Sequence, residues 1–157
     1  MDTTIKTDRF INREISWLSF NDRVLQEAAD RSNPLIQRMR FLGIFSNNRD
    51  EFFRVRVATV RRIAALRGRK KLLGNRTPQE LIQEIQSIVM KQEQRFEQIY
   101  QELLKEMEHY NIYVVNETQL TPEQGRFVSN FYHERIRPIL VPIMLQYTRE
   151  FPYLREQ

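Results

Sequence analysis

Two adjacent asparagines, Asn47 and Asn48, stand in the segment Ser46-Asn47-Asn48-Arg49-Asp50-Glu51-Phe52-Phe53. A carboxamide both donates and accepts hydrogen bonds. At a helix–helix junction, beside the unpaired N–H groups of a helix start, such a pair suits the edge of a base or a phosphate. The same residue types also make an ordinary turn and N-cap, and spacing alone favours that plainer role. A few residues on, Arg54, Arg56 and Arg61 are candidates for phosphate or other polyanion contacts, because a guanidinium grips phosphate oxygens as a fork. Arg54 and Arg61 lie seven apart on one helical face, with Arg56 and Arg62 to either side. A solvated face or a subunit contact would use the same residues.

No catalytic residue is assigned. His109 falls at the end of a long helix, where a cation complements the dipole, and His133 falls mid-helix beside Glu134, so both read as structural. Asp50 and Glu51 resemble an acid/base pair only on paper: neighbours on a helix point about 100° apart, and capping accounts for both. The stretch from Gly68 to Gly74 lacks the Gly-Lys-Ser/Thr ending with which a P-loop cradles phosphates. With no cysteine and two separated histidines, neither a disulfide framework nor an ordinary structural zinc site can be built, and no metal ligand is assigned.

The 157 residues fit one domain, or one domain and part of a second. A net charge of +5 and a pI near 9.7 make anionic partners plausible: nucleic acid, nucleotide, polyphosphate or an acidic membrane surface. From Arg54 to Arg76 the chain is basic with no Asp or Glu, while the stretch that follows to Glu108 is rich in Glu. No apolar run approaches the ~20 residues of a membrane-spanning helix, so no transmembrane segment is expected. Met1-Asp2-Thr3-Thr4 leads into mixed charge and not into an apolar h-region, so no secretory signal is expected either. Cytoplasmic localisation is the expectation, with peripheral attachment to an acidic membrane compatible with the charge.

Elements that could position these residues follow from caps and periodicity. A first helix is expected over Trp17 to Ala29, capped by Ser16 or Ser19, with Trp17, Phe20, Val24, Leu25 and Ala28 as its apolar face. Asn33 and Pro34 open a second, carrying Leu35, Met39, Leu42 and Phe45, which Ser46-Asn47-Asn48 ends. Asn48 and Glu51 then form a capping-box-like start for a third, reaching about Leu66. Thr77-Pro78-Gln79-Glu80 starts a long fourth helix, whose Ile82, Ile85, Val89, Gln92, Phe96, Ile99 and Leu103 step by three and four almost to Tyr110. That stripe reads as packing, not as a cofactor groove.

After Asn111 the character changes. Ile112-Tyr113-Val114-Val115 is of strand type, Thr121-Pro122 begins a helix that Pro138 ends, and Ile139 to Leu145 is a second apolar run. Two strands cannot close a stable sheet alone. The expected fold is therefore mainly α: a helical domain over 1–110 with a long fourth helix, then, over 111–157, the truncated beginning of an α+β domain. The alternative is a tail that packs back on the helices.

A more specific signal comes from ordered motifs. Ile11-Asn12-Arg13-Glu14-Ile15-Ser16-Trp17-Leu18-Ser19-Phe20-Asn21-Asp22-Arg23-Val24-Leu25-Gln26-Glu27-Ala28 is followed by Pro34-Leu35 and Arg38-Met39-Arg40-Phe41-Leu42-Gly43-Ile44-Phe45-Ser46-Asn47-Asn48. Asp50-Glu51-Phe52-Phe53 and Val55-Arg56-Val57-Ala58 complete the set. Together they resemble the N-terminal region of bacterial polyphosphate kinase, closely over roughly residues 10 to 60, with the long helix and Ile112 to Pro142 resembling the family's continuation into its head domain.

The resemblance implies a kinase that reversibly transfers the terminal phosphate of ATP to inorganic polyphosphate, through a phosphohistidine and with Mg²⁺. It implies ATP/ADP and polyphosphate as partners, a homodimer at full length, and no specific nucleic acid. It also implies that Asn48 contacts ATP near the adenine, and that the catalytic groups and Mg²⁺ ligands lie outside this segment, which alone is expected to be inactive. The family commonly has Leu at the position of Arg49, whose side chain is expected in solvent. Two competing readings rest on residue types alone: a basic nucleic-acid-binding module, which lacks a zinc-finger, RRM or KH signature, and an oligomerisation module built on the long helix.

Overall fold

Asn12 starts the first helix, because its side-chain oxygen accepts from the Glu14 and Ile15 N–H groups at 2.9 and 3.4 Å and so satisfies two donors that a helix start leaves orphaned. The structure is a computed structural model and describes residues 11–67, 76–142 and 144. Helix α1 runs over Arg13–Ala29, a turn longer at its start than Ser16 or Ser19 would give. Its buried side is Glu14, Leu18, Asn21, Leu25 and Ala28, while Phe20, expected inside, is exposed. The Ser32 N–H donates to Asp30 at 2.8 Å just past the helix end. That bond, then the Ser32 hydroxyl, and then Arg38 nearby, hold the Asp30 carboxyl below the usual carboxylate range.

Helix α2 covers Leu35–Glu51 and does not stop at Ser46-Asn47-Asn48. It passes directly into a wide π-helical turn, Phe52–Val57, and then into α3, Ala58–Arg67. The junction expected at Asn48 is absent, and Asn48 caps nothing. The wide turn has a visible cause in the burial pattern. Arg38, Leu42, Phe45 and Phe52 keep α-helical spacing on the inner side, but the next inward residue is Val57, five positions on. An α-helix would turn Val55 or Arg56 inward instead; the extra residue of a π turn brings Val57 and Val60 under cover and leaves Val55 exposed. Asn33 does not cap α2 either; its Nδ2 donates back to the Glu27 carbonyl at 3.0 Å, and Pro34 takes the capping position.

Helix α4, Pro78–Glu108, begins where the sequence signals it. Thr77 Oγ1 accepts from the Glu80 N–H at 3.2 Å and the Thr77 N–H donates to Glu80 Oε2 at 2.7 Å, a complete capping box. Thr77→Ala is expected to lower the stability of this unit by ~1 kcal/mol, read as a shift in urea midpoint at constant m-value. At its other end Asn111 adopts a left-handed φ of 59°, and the Ile112 and Asn111 N–H groups bond back to the Met107 and Glu108 carbonyls, at 3.1 and 3.0 Å. That is a Schellman cap with Asn in the place glycine usually takes.

By contact the chain divides into two units, Met1–Tyr113 and Val114–Gln157. In the first, α1, α2 and α4 pack around two apolar clusters. One joins Leu18, Phe52, Val57, Val60, Leu81 and Ile85; the other joins Leu25, Ala28, Leu42, Phe45, Ile99 and Leu103. A polar residue separates the clusters on α1, on the run from α2 into the π turn and on α4: Asn21 between Leu18 and Leu25, Asn48 between Phe45 and Phe52, Gln92 between Ile85 and Ile99.

The second unit contains α5, Pro122–Phe131, opened by a second capping box between Thr121 and Gln124. A π-type turn over Tyr132–Ile136 and a 3-10 turn over Arg137–Ile139 follow. None of its described residues is buried, and Phe127 and Phe131 stack on one another at 6.3 Å. Among the described residues there is no strand. The segments expected to be strands, Ile112 to Val115 and the described part of Ile139 to Leu145, take up no strand. The mainly α character stands. The basic loop expected between Gly68 and Gly74 lies outside the described residues.

Candidate functional site

Asn48 is half-buried in the last turns of α2, where the layer of polar residues between the two apolar clusters comes closest to solvent. The layer is held by amides. Asn21, 1% exposed, donates through Nδ2 to the Phe45 carbonyl at 3.2 Å. Asn48 donates through its own Nδ2 to Asn21 Oδ1 at 3.0 Å, and buried Gln92 donates to the Leu18 carbonyl at 3.0 Å. Every buried side-chain polar atom among the described residues has a partner, so the layer costs no orphaned group. Asn48 differs from the other two in being partly open. Neighbouring Asn47 is exposed.

Arg49 does not extend into solvent. Its Nη1 lies 3.7 Å from Glu93 Oε1 on α4, and its guanidinium lies 6.0 Å from the Phe45 ring centre, so it ties α2 to α4. Arg54 and Arg61 are exposed, and the π turn between α2 and α3 means that a spacing of seven no longer ensures a shared face. Arg56 is half-buried, with Nη1 3.7 Å from Glu14 Oε1. Glu14 also accepts from Arg13 Nε and Nη2 at 3.2 and 3.1 Å, so one carboxylate is shared by two guanidiniums and the trio keeps a net positive charge. Arg13, Glu14, Trp17, Glu51, Phe52, Val55, Arg56 and Thr59 line an open hollow of about 430 Å³ beside the π turn, beginning one turn past Asn48.

His109 Nδ1 sits 2.9 Å from the Lys105 carbonyl at the end of α4, and His133 meets the Tyr132 ring edge-on at 5.4 Å. Asp50 and Glu51 are exposed mid-chain residues of a continuous helix, not caps. Among the described residues no three His, Asp or Glu side chains converge on a common point. None of the described helices is long and apolar enough to cross a membrane.

Sequence reasoning did not single out Asn21 or Arg38 as organising residues. The signal was present in both cases as a polar side chain on the inward stripe of its helix, between Leu18 and Leu25 in α1 and between Leu35 and Leu42 in α2.

These features define a helical domain with a partly open amide at its surface. The comparisons with known proteins agree on which. The family model described as "Polyphosphate kinase N-terminal domain" matches residues 10–115. The chain is 47% identical to the polyphosphate kinase of Vibrio cholerae over 137 residues, which is 87% of this chain and 19% of that protein. To the polyphosphate kinase of Escherichia coli it is 46% identical over 136 residues, again 87% of this chain and 20% of the relative. A crystal structure of polyphosphate kinase from Porphyromonas gingivalis superposes with a TM-score of 0.66 at 33% identity, covering 91% of this chain and 20% of that one. The chain belongs to the polyphosphate kinase family, and it spans about a fifth of the length of these relatives.

Proposed function

We propose that this chain holds one edge of the ATP site of a polyphosphate kinase, at Asn48, and serves as scaffold for phosphoryl-transfer groups that lie elsewhere in the enzyme. The full-length enzyme in this reading transfers the terminal phosphate of ATP reversibly to inorganic polyphosphate through a phosphohistidine. Mg²⁺ arrives as the nucleotide complex, and the enzyme works as a cytoplasmic dimer, with peripheral membrane attachment compatible with its basic charge. The observation that carries the assignment to Asn48 is its half-buried carboxamide, pinned through Nδ2, on the N-terminal domain of a polyphosphate kinase.

Phosphoryl transfer depends on positioning and on charge stabilisation. A domain that grips the base contributes orientation and leaves the rate to the cations and metal around the phosphates. Exposed Arg54 and Arg61, with Arg56 tied to Glu14, then serve as a basic approach to the polyanion and not as a binding fork. The uncovered apolar residues of the second unit, Phe127, Phe131 and Val141 among them, are the surface on which the rest of a head domain would pack.

The test is an NMR titration of the 157-residue chain with Mg-ATP at moderate salt, following the backbone and side-chain amides of Asn47 and Asn48, with polyphosphate and a DNA duplex in parallel. Localised shifts at Asn48 with ATP alone support the reading. Equal, broad shifts along Arg54 to Arg67 with every polyanion would favour the nucleic-acid-like alternative of nonspecific charge binding. In the full-length kinase Asn48→Ala should weaken ATP use by ~1–3 kcal/mol, the range for a lost hydrogen bond at a partly buried site. An unchanged ATP dependence removes Asn48 from the site.

A further inference from the structure

Three groups in a row leave one way to orient two amides. The Phe45 carbonyl can only accept, so Asn21 must turn Nδ2 toward it. Asn21 Oδ1 is thereby aimed at Asn48, which must answer with its own Nδ2. The Asn48 oxygen is then the acceptor left for a ligand, and no protein donor reaches it among the described residues. The role of the Phe45 carbonyl cannot reverse, and it fixes the orientation of both amides in turn.

A free asparagine can exchange its oxygen and nitrogen by a half-turn and serve a donor or an acceptor equally well. Asn48 lacks that freedom, because a half-turn would set its oxygen against Asn21 Oδ1 inside a layer that is closed to water on the Asn21 side. We propose that Asn21 is a positioning residue that makes the site selective for 6-amino over 6-oxo purines, an inference that rests on the reading of Asn48 as the adenine contact. Fixed in this way, Asn48 Oδ1 accepts from a 6-amino group, and the second Nδ2 hydrogen can reach the adjacent ring nitrogen, a pairing that asparagine and adenine make readily. A 6-oxo purine sets acceptor against acceptor. Position 21 never touches the nucleotide.

The experiment compares ATP with inosine triphosphate, which carries oxygen in place of the 6-amino group, in steady-state assays of the full-length kinase and its Asn21→Ala and Asn48→Ala variants. The unaltered enzyme should favour ATP in kcat/KM by about tenfold or more, as expected for a site that loses a hydrogen bond and gains an acceptor clash. Asn21→Ala should bring the two substrates within about threefold of each other, mainly by raising KM for ATP, because the base edge is held alike before and during transfer. A merely structural role for Asn21 would lower both substrates together and leave their ratio intact, which overturns the proposal.

If Asn48→Ala leaves ATP use unchanged, the adenine reading falls and this inference falls with it. If Asn48→Ala raises KM for ATP but the unaltered enzyme treats both nucleotides alike, the adenine reading stands and the role of Asn21 is refuted. Should Asn21→Ala fail to fold by circular dichroism, the decisive measurement is the coupling across the hydrogen bond from Asn48 Nδ2 to Asn21 Cγ in the 157-residue chain. Its presence, together with discrimination by the unaltered enzyme, sustains the proposal; its absence overturns it.

Discussion

Arg38→Ala should destabilise the first unit by about 3–5 kcal/mol, an unusually large effect for an arginine. Arg38 is 1% exposed and acts as a buried bridge. Its Nε donates to the Ala28 carbonyl at 3.0 Å, at the end of α1, and its Nη1 donates to Glu106 Oε2 on α4 at 2.8 Å. Truncation removes a long stem from the interior, takes a donor from the Ala28 carbonyl, and cuts the tie between α2 and α4. Glu106→Gln should cost less, about 1–2 kcal/mol, because the carboxylate is 38% exposed and water can take over part of its role. Arg40→Ala, at an exposed position two residues along the same helix, serves as the control and should stay within about 0.5 kcal/mol. Urea unfolding followed by circular dichroism measures all three. Equal losses for Arg38 and Arg40 would mean that the bridge is not a stabilising feature and that generic charge explains the effect.

Arg38 also illustrates what a sequence discloses and what it hides. The starts of α4 and α5 were legible to the residue, because Thr-Pro followed by Glu or Gln satisfies helix donors by purely local bonds. The long stripe of α4 was equally legible, and it is the packing face, with Ile85, Gln92, Ile99 and Leu103 buried. The break expected at Ser46-Asn47-Asn48 was an overreading of asparagine's preference for caps. Leu42, Phe45 and Phe52 are buried on one continuous rod, and Asn48 finds its partner in Asn21, twenty-seven residues away, not in its own backbone. Local propensity is a weak prior wherever tertiary contacts supply both the apolar cover and the hydrogen bond.

Asn12 was missed as a cap for the opposite reason. The helix was expected to start only at Trp17, yet Glu14 is buried and paired by Arg13 and Arg56, so the helix gains a further turn. The polar layer of Asn21, Asn48 and Gln92 could have been found by asking which stripe positions are not apolar. Each sits three, four or seven residues from buried apolar neighbours on its own helix. What the sequence could not supply was that the three fall at one level of the unit, since that depends on how α1, α2 and α4 are registered against each other.

The π turn supplies the second large expected effect, at Phe52. Phe52 is 2% exposed and stacks on Trp17 with ring centres 4.5 Å apart and planes within 10°. It joins the cluster of Leu18, Val57, Val60, Leu81 and Ile85, so Phe52→Ala empties a ring-sized space and should cost ~3–5 kcal/mol. Val55, only three residues on, is 51% exposed because the wide turn swings it outward, and Val55→Ala should fall within about 0.5 kcal/mol. A continuous α-helix predicts a different order, since it would bury position 55 or 56 and bring Val57 toward solvent. The contrast between Phe52, Val55 and Val57 therefore tests the turn itself and not just the core. Trp17 is the chain's one tryptophan, so its fluorescence reports on the Phe52 side of the unit without a label. Phe52→Ala should shift the emission of the folded protein as well as its urea midpoint, whereas Val55→Ala should leave both in place. If Val55→Ala proves as costly as Phe52→Ala, the helix runs through this region in ordinary register. The hollow beside Arg56 and Glu14, whose shape depends on the wide turn, would then have to be redrawn.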